Sequence, residues 1–333
     1  MAHEIRLAVI GAGMMAGKRA SAFSKDPRTK ICGVAAKRQT TAEKLAAALH
    51  CDFRTSDYRD LLQAKPNALL IEVPHEVQDE MVDWALAHDL PVLVGGPIST
   101  SLQGVERIAE IAAARNLIVE AGYEARYKSC WEAARDRITA GEIGQLIAVQ
   151  SRALWNGDPQ SWYYSQARSQ GMPLTHISYA FLNPLRWIMG DPLQISAFAN
   201  TKKHQTPQSV REETCAANMA FPGNVLLSMV AGYVSHGEPE SWTVFFLGTD
   251  GCIQLYPTEM DNGWLKLYRH GESSTLDFTH ARDAFEIQAE TFLNALEGEN
   301  RLRNQPQACV GDLRAVEAIV ASIRENRTIA LQR

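Results

Sequence analysis

Apolar and polar positions are distributed in two different ways along the chain, and the change falls near residue 120. Before it, short apolar runs at 5–10, 30–36, 68–73, 91–94 and 117–121 are separated by segments in which apolar residues recur every three or four positions. That pattern predicts buried strands joined by amphipathic helices. Such a succession forms a parallel sheet with helices on both faces, and ligands bind beyond the carboxyl ends of its strands.

In the second half, strand-like runs follow one another at short spacing. The predicted strands lie at 145–153, 193–199, 214–221, 225–234, 242–248, 252–256 and 264–268, and the predicted helices at 131–140, 173–189, 284–296 and 311–323. We therefore expect an α/β chain: residues 1–122 form the parallel-sheet domain, and residues 123–333 form an α+β domain with a large, mostly antiparallel open sheet. A broad sheet face commonly packs against a partner subunit, which predicts a homo-oligomer, a dimer or tetramer.

A glycine-rich motif, G-x-G-x-x-A, follows the first predicted strand directly and precedes a helical segment. In this setting, Gly11 permits the tight turn, Gly13 lets the backbone approach a pyrophosphate, and Ala16 lets helix and strand pack closely. The free N–H groups at the helix start attract phosphate oxygens. The motif predicts a Rossmann dinucleotide-binding domain, and a buried glycine turn without a ligand is the alternative. The residues expected to contact the cofactor here are Gly11, Gly13, Met14, Met15 and Ala16.

The end of the second predicted strand indicates which dinucleotide binds. NAD sites usually carry Asp or Glu there, to bind the ribose 2′-hydroxyl. This chain instead continues from Ala36 into Lys37, Arg38, Gln39 and Thr40. Two cations and neutral hydrogen-bonding side chains suit a 2′-phosphate, so Lys37, Arg38 and Thr40 predict NADP(H). A solvated basic loop is the alternative.

Composition narrows the class of protein. The 333 residues suffice for two domains, and 46% hydrophobic with 21% charged residues is typical of soluble globular proteins. A net charge of −5 and a pI near 6.0 argue against nucleic acid or an anionic membrane as the main partner. The six cysteines form no C-x-x-C pair, which predicts reduced thiols in a cytoplasmic protein. The sequence contains no zinc-site motif and no apolar run near the roughly eighteen residues of a membrane span, so neither a metal nor a membrane is predicted.

The chain resembles the Gfo/Idh/MocA family, named for glucose–fructose oxidoreductase and inositol dehydrogenase, over nearly its whole length. Besides the glycine motif, the resemblance rests on Pro74 after a strand and on segments 122–127, 141–144 and 185–190. It implies hydride transfer between a nicotinamide and a small alcohol, ketone or imine. By the same resemblance, the nicotinamide end of the cofactor is expected to contact Pro74, His75, Gln78, Gly96 and Pro97. His75 as an exposed loop histidine is the alternative.

Two motifs of that family are altered. Where the family has Glu-Lys-Pro after the fifth strand, with a lysine resembling an acid/base group, this chain has Gly95-Gly96-Pro97. Where the family has Asp-x-x-x-His on the long helix and Asp three residues later, this chain has His176, Ala180 and Asn183. A register slip of one residue would place Tyr179 at the histidine position. Either way, the usual lysine and histidine are both absent.

A carbonyl or imine that accepts a hydride still needs a proton, and general acid catalysis is worth roughly 10²–10⁴-fold. The first candidate donor is His176, because imidazole titrates near neutral pH, and the second is Tyr179. Asn183, one further turn along the helix, is predicted to hydrogen-bond the substrate. The alternatives are a structural histidine, a tyrosine that packs in the core, and an asparagine that lies on the helix surface or packs.

Further substrate contacts are expected from the aromatic loop at 155–164 and from the start of the second domain. The loop is predicted to cover the substrate site, where its rings stack on a flat substrate or on the nicotinamide, or simply pack against one another. Arg126 suits a substrate carboxylate, with an interdomain salt bridge as the alternative. The residues expected to contact substrate are Tyr123, Arg126, Trp162, Tyr163 and Tyr164.

The sequence thus predicts an NADP(H)-dependent oxidoreductase acting on a small imine, conjugated or carbonyl substrate with a non-standard proton donor. One alternative is an NADP(H)-binding sensor or regulatory protein without redox turnover, suggested by Gly96 and Ala180. Redox-neutral chemistry is another. A third is bilin reduction, because segments 18–23, 162–164 and 171–174 resemble the cyanobacterial-type biliverdin reductases of this family.

Overall fold

The computed structural model describes residues 4–204, 206–237, 241–258, 261–299 and 301–331, without the side chains of residues 179 and 180. The chain divides into two compact units. The first contains Met1–Tyr123 with Phe285–Val310, and the second contains Glu124–Ala284 with Gly311–Arg333. The division after residue 123 lies beside the predicted boundary, but the return of 285–310 to the first unit has no signal in the local pattern.

The first unit is built on a six-stranded sheet in the order β3-β2-β1-β4-β5-β6, and its strand pairs are parallel. Its central strands are almost entirely apolar and buried, as expected where helices cover both faces of a sheet. The strands are β1 (Ile5–Ile10), β2 (Thr29–Ala35), β3 (Arg54–Thr55), β4 (Ala68–Ile71), β5 (Val92–Val94) and β6 (Val119–Ala121). The predicted Rossmann-type sheet is confirmed.

Helices connect these strands, and a late helix completes the core. The helices are α1 (Met14–Ser24), α2 (Gln39–Ala48), α3 (His75–Ala87) and α4 (Leu102–Arg115), with a 3-10 helix at Tyr58–Ala64. The late helix is α8 (Ala284–Leu296), whose Phe292 ring meets Phe23 of α1 edge-on with centroids 5.9 Å apart. Burial of these apolar side chains in one core explains why 285–310 belongs to the first unit.

The second unit contains a nine-stranded sheet in the order β14-β13-β12-β11-β7-β10-β9-β8-β15. It is antiparallel except where β10 pairs with β7, which confirms the mostly antiparallel prediction. Its first strands are β7 (Leu146–Leu154), β8 (Gln194–Asn200), β9 (Thr214–Phe221) and β10 (Val225–Gly232). The others are β11 (Trp242–Gly248), β12 (Gly251–Tyr256), β13 (Trp264–Arg269), β14 (Glu272–Asp277) and β15 (Ile329–Ala330).

Helices cover one face of this sheet. Trp131 meets Phe181 and Phe246 edge-on at 5.9 and 6.3 Å between centroids, which joins helix to sheet. The helices are α5 (Ser129–Thr139), α6 (Gln166–Ser169), α7 (Asn183–Met189) and α9 (Pro306–Glu325), besides 3-10 turns at Glu124–Tyr127, Trp162–Tyr164 and Pro222–Asn224. In the described part of the chain, no helix combines the length and apolarity needed to cross a membrane.

The helix predicted at 173–189 is present but differs in its winding. A π-helix spans Pro173–Leu182, and α7 continues from Asn183 to Met189. Pro184, at the start of α7, has no N–H and cannot make an α-helical bond back to residue 180. The strand β14 was not predicted, because its polar, largely exposed sequence ESSTLD lacks apolar alternation.

Candidate functional site

The turn after β1 leaves room at the start of α1. Gly11 has φ +110°, and a Cβ there would overlap the carbonyl oxygen of Glu72, so only glycine fits. Gly13 is the N-cap of α1, and a Cβ there would meet nothing within 4 Å. The first turn of α1 carries no acidic residue. Free N–H groups and open space therefore coincide here, which fits the pyrophosphate of a dinucleotide.

The other residues of the motif divide between surface and core. Met14 is 81% exposed, whereas Met15 is partly buried against the core of the first unit and Ala16 is buried. The small Ala16 lets α1 approach β1, as the sequence pattern predicted. Met14 is therefore the motif side chain that is free to contact a bound cofactor.

The residues after β2 form an exposed basic turn. Lys37, Arg38 and Thr40 are all exposed. Arg38 is the N-cap of α2, where its carbonyl oxygen accepts bonds from the backbone N–H and hydroxyl of Thr41 at 2.9 and 2.7 Å. The first turn of α2 carries no acidic residue. A turn with this charge suits a phosphate group.

Directly after β5, Gly95 and Gly96 leave space open. Two side chains from the segment after β4 lie in or beside that space. Glu72 forms a partly buried ion pair with Arg19, and a Cβ on Gly95 would overlap the Glu72 carboxylate. His75 begins α3 and is buried, and its Nε2 lies 3.6 Å from the position that a Cβ of Gly96 would take. A carboxylate and an imidazole therefore flank the altered glycine pair.

Arg19 and Gln78 form hydrogen bonds that connect segments at this edge of the sheet. Arg19 donates to Gln288 Oε1 at 2.5 Å and to the Gly122 carbonyl, besides its bond to Glu72. Gln78 follows Pro74, the N-cap of α3, by one turn; it is fully buried and donates to the carbonyl oxygen of Pro97 at 2.5 Å. Its Oε1 has no hydrogen-bond partner among the described residues, so a ligand N–H can satisfy it.

In the second unit, two predicted site residues lie in a buried polar network. Arg126 Nε and Nη2 donate to the Asn183 carbonyl oxygen at 3.2 and 2.9 Å. Asn183 Nδ2 donates to Asp312 at 2.9 Å, and Asp312 also pairs with Arg186 at 2.5 Å. These contacts hold Arg126 and Asn183 in helix-to-helix connections.

In the first unit, Tyr123 is fully buried, and its carbonyl accepts a bond from Asn304 at 2.7 Å.

His176 lies in a cluster of rings that we call the aromatic cluster: Trp155, Tyr163, Tyr164, His176 and Tyr233. The His176 ring stacks on Trp155 with centroids 4.5 Å apart, and it meets Tyr233 and Tyr163 edge-on at 4.6 and 5.5 Å. Tyr164 packs on Tyr233 at 4.5 Å. Trp162 extends the cluster through its edge contact with Tyr163 at 6.0 Å.

Hydrogen bonds hold the buried tyrosines of the cluster. The Tyr233 hydroxyl bonds to the Thr175 hydroxyl at 2.7 Å, and the Tyr164 hydroxyl donates to the Tyr233 carbonyl at 3.3 Å. Burial raises the pKa of Tyr164 and of Tyr233 above the ordinary value, so both remain neutral phenols at physiological pH. The cluster thus consists of aromatic rings and one imidazole, without a fixed charge.

The structure brings Tyr163, Tyr164 and His176 together as one group, while the side chain of the predicted Tyr179 lies outside what is described. Tyr233 was missed because it belongs to no local motif. Arg19 and Glu72 were missed as well, although Arg19 had a signal. It falls on the buried face of α1 with Ala16, Ala20 and Phe23, where an arginine requires a partner. The described residues contain no group of three or more His, Cys, Asp or Glu arranged to hold a metal ion.

Comparison with known proteins gives consistent matches. Residues 5–123 match the model of the Gfo/Idh/MocA oxidoreductase family with an NAD-binding Rossmann fold, and residues 131–254 match that of the GFO/IDH/MocA C-terminal domain. Over 349 residues, the chain is 21% identical to a D-xylose 1-dehydrogenase [NADP(+)] of Haloarcula marismortui, covering 99% of this chain and 94% of that protein.

Two solved structures share the fold. Levoglucosan dehydrogenase, in complex with NADH and levoglucosan, superposes with a TM-score of 0.89 at 16% identity, covering 99% of this chain and 100% of that one. Biliverdin reductase from Synechocystis sp. PCC 6803, in complex with biliverdin and NADP+, superposes with a TM-score of 0.82 at 16% identity, covering 96% and 99%. One fold therefore accommodates either dinucleotide and quite different substrates.

Proposed function

Since the chain belongs to the Gfo/Idh/MocA oxidoreductases, we propose that it is an NADP(H)-dependent enzyme that transfers a hydride to or from the carbonyl-type carbon of a small substrate. The observation that carries the proposal is the open space at Gly13 beside the unblocked start of α1. A side chain at that position would fit the fold equally well, so its absence is explained by a ligand that needs the space.

NADP(H) is supported over NAD(H) by the basic turn after β2. Among the described residues, neither Lys37 nor Arg38 forms an ion pair with a carboxylate, so both charges are available to a 2′-phosphate. Gln78 Oε1, buried without a described partner, would accept an N–H from the nicotinamide end. When bound, the nicotinamide supplies or accepts the hydride. The chain's own residues would orient the substrate and transfer the proton.

For the substrate, we propose the carbonyl or hemiacetal carbon of a sugar-like molecule. The relatives described above act, by their names, on D-xylose and levoglucosan, and an aromatic surface is a common partner for the apolar face of a ring. A flat conjugated molecule such as a bilin is the second candidate. It is favoured by the stacked rings around His176 and by the fold shared with biliverdin reductase.

The proton must come from a group other than a lysine after β5, because Gly96 has no side chain. Two buried histidines have suitable chemistry, His176 in the aromatic cluster and His75 at the start of α3. His176 is the candidate that the sequence predicted, whereas His75 belongs to the cofactor-binding unit.

The cofactor proposal is tested by replacing Lys37 and Arg38 with alanine and titrating NADPH and NADH by calorimetry. Each charged hydrogen bond to phosphate is worth about 1.5–3 kcal/mol, so NADPH affinity should fall at least about tenfold while NADH affinity changes little. Lys44→Ala, an exposed cation on α2, is the control and should leave both affinities unchanged.

Other outcomes separate the alternatives. Equal weakening of NADPH and NADH would contradict selection by the basic turn. Failure of wild-type protein to bind either nucleotide would refute the proposed function. Tight NADPH binding without oxidation of NADPH by a panel of aldoses, ketones, imines and bilins would favour a regulatory protein.

A further inference from the structure

The order of the first sheet assigns a nicotinamide side to the cofactor site. In doubly wound sheets, the two halves of a dinucleotide lie on opposite sides of the central strand, beyond the carboxyl ends. Here β1 is central, and the basic turn suited to the 2′-phosphate follows its neighbour β2. The nicotinamide half is therefore expected beyond β4 and β5, on the other side of β1.

At that place, Glu72 and His75 follow β4, whereas Gly95 and Gly96, directly after β5, have no side chains. Glu72 fills the space beside Gly95, and the His75 ring lies against Gly96, whose φ of +74° favours glycine. Residue 96 therefore has no side chain that could contact a ligand, and the ring beside it belongs to His75, the first residue of α3. The imidazole therefore lies beside glycines, which have no side chain that could reach a ligand.

Hydrogen bonds hold the helix that carries the ring against the loop after β5. Gln78, one turn after His75, ties α3 to the loop by its bond to the Pro97 carbonyl at 2.5 Å. Asp79 ties the same helix to the residues that follow, accepting bonds from Ser99 at 3.1 Å and from Thr100 at 3.0 Å. Both ends of the 96–100 loop are therefore bound to the helix that carries His75.

We propose that His75 is the proton-transfer residue of this enzyme, placed against Gly96 in the role that a lysine after β5 would otherwise perform. The inference rests on the proposed function. In reduction, a substrate carbonyl carbon gains a hydride from NADPH while its oxygen takes the Nε2 proton of the His75 imidazolium. The products are the alcohol, NADP+ and neutral imidazole, which regains its proton from water, and oxidation reverses each transfer.

The charged residues along this edge of the sheet lie on three elements. Glu72 follows β4, and its ion-pair partner Arg19 lies on α1, while Glu76 and Asp79 lie on α3 with His75 itself. A cationic nicotinamide would add to these only when the cofactor is oxidised. The oxidation state of the cofactor therefore provides a probe that requires no substrate.

The test follows the histidine ring signals by NMR against pH in two complexes, with NADP+ and with NADPH. Nearby positive charge disfavours imidazolium, so the His75 signal should titrate about one pH unit or more lower with NADP+ than with NADPH. His75→Gln and His176→Gln assign the two signals by their loss. His88, exposed at the opposite end of α3, is the matched control and should not respond to oxidation state.

Calorimetry on the same samples separates the outcomes. If both nucleotides bind and the His75 signal titrates identically in the two complexes, the proposal is overturned while the proposed function stands. The same holds if His176 responds instead, which would move proton transfer to the aromatic cluster. If neither nucleotide binds, the proposed function fails and His75 loses its role with it. Where His75 responds, His75→Gln should also lower kcat at least about 10²-fold, whereas His88→Gln should not.

Discussion

Three glycines near the start of α1 meet three different physical constraints. Gly11 is required by its backbone, because its φ of +110° and the nearby Glu72 carbonyl leave no place for a Cβ. Gly13 has ordinary extended backbone, with φ −80° and ψ 178°, and open surroundings. Gly17, inside α1, would bring a Cβ to 3.6 Å from Leu45, an ordinary contact. Alanine substitutions therefore separate folding from ligand binding.

Gly13→Ala should leave the thermal midpoint unchanged but weaken NADPH binding at least about tenfold, because the methyl group enters the space left for a pyrophosphate. Gly11→Ala should destabilise the protein by about 1–3 kcal/mol or more through backbone strain. Gly17→Ala is the control and should bind NADPH normally while gaining about 0.5–1 kcal/mol. Calorimetric unfolding and NADPH titration measure both effects. Unaltered affinity in Gly13→Ala would place the phosphates elsewhere.

Among the elements, the junction of the π-helix with α7 depends on a buried polar network. Arg186 of α7 and Asp312 of α9 pair where the arginine side chain is 7% and the aspartate 0% exposed. Burial alone would lower the pKa of Arg186, but the Asp312 and Asp191 carboxylates raise it above its ordinary value. Asp312 also accepts the bond from Asn183 at 2.9 Å, so one carboxylate satisfies two buried donors. The network explains why Asn183 and Arg126 have a structural task beyond any contact with substrate.

Asp312→Ala should therefore destabilise the second unit by about 3–5 kcal/mol, because it leaves a buried guanidinium with one partner fewer. The matched control is Asp191→Ala, since Asp191 pairs with the same arginine but is 58% exposed, and its loss should cost about 1 kcal/mol or less. Urea unfolding followed by tryptophan fluorescence gives both values. Similar losses in the two variants would show that burial does not set the strength of this pair.

At the scale of the whole molecule, one face of the second sheet carries four of the exposed large apolar side chains among the described residues. Strand register places Phe198, Leu226, Val230 and Leu247 on that face, and they are 63, 54, 39 and 41% exposed. Ala148 and Ala216 lie between them in the paired rows. Such a surface is typical of an interface, which supports our proposal of a homo-oligomer that buries it.

Phe198→Glu combined with Leu226→Glu should dissociate such an oligomer, because four buried carboxylates in a symmetric dimer would lack partners. The solution mass, measured by light scattering after size-exclusion chromatography, should fall to that of one chain. Val320→Glu is the control, since Val320 is also exposed but lies on α9. A wild-type protein that already runs as a monomer would contradict the proposal.

Most elements of the fold follow from short-range sequence patterns. The strands β9 and β11 were predicted to the residue, and so was α8. Strands without apolar alternation, such as the short β3 and the polar edge strand β14, were not predicted. The winding of the 173–182 helix was also missed, because α- and π-helices bury similar side chains and differ mainly in backbone bonding.

The sequence by itself determined most of the order of elements, the glycine turn after β1 and the basic turn after β2, because each depends on residues adjacent in the chain. Only the tertiary structure decided which side chains replace the missing lysine loop, and which rings surround His176. Glu72 and His75, after β4, contact Gly95 and Gly96, after the neighbouring strand β5, and Tyr233, at the end of β10, contacts His176. Such contacts join residues more than twenty positions apart. They depend on packing, which no local pattern encodes.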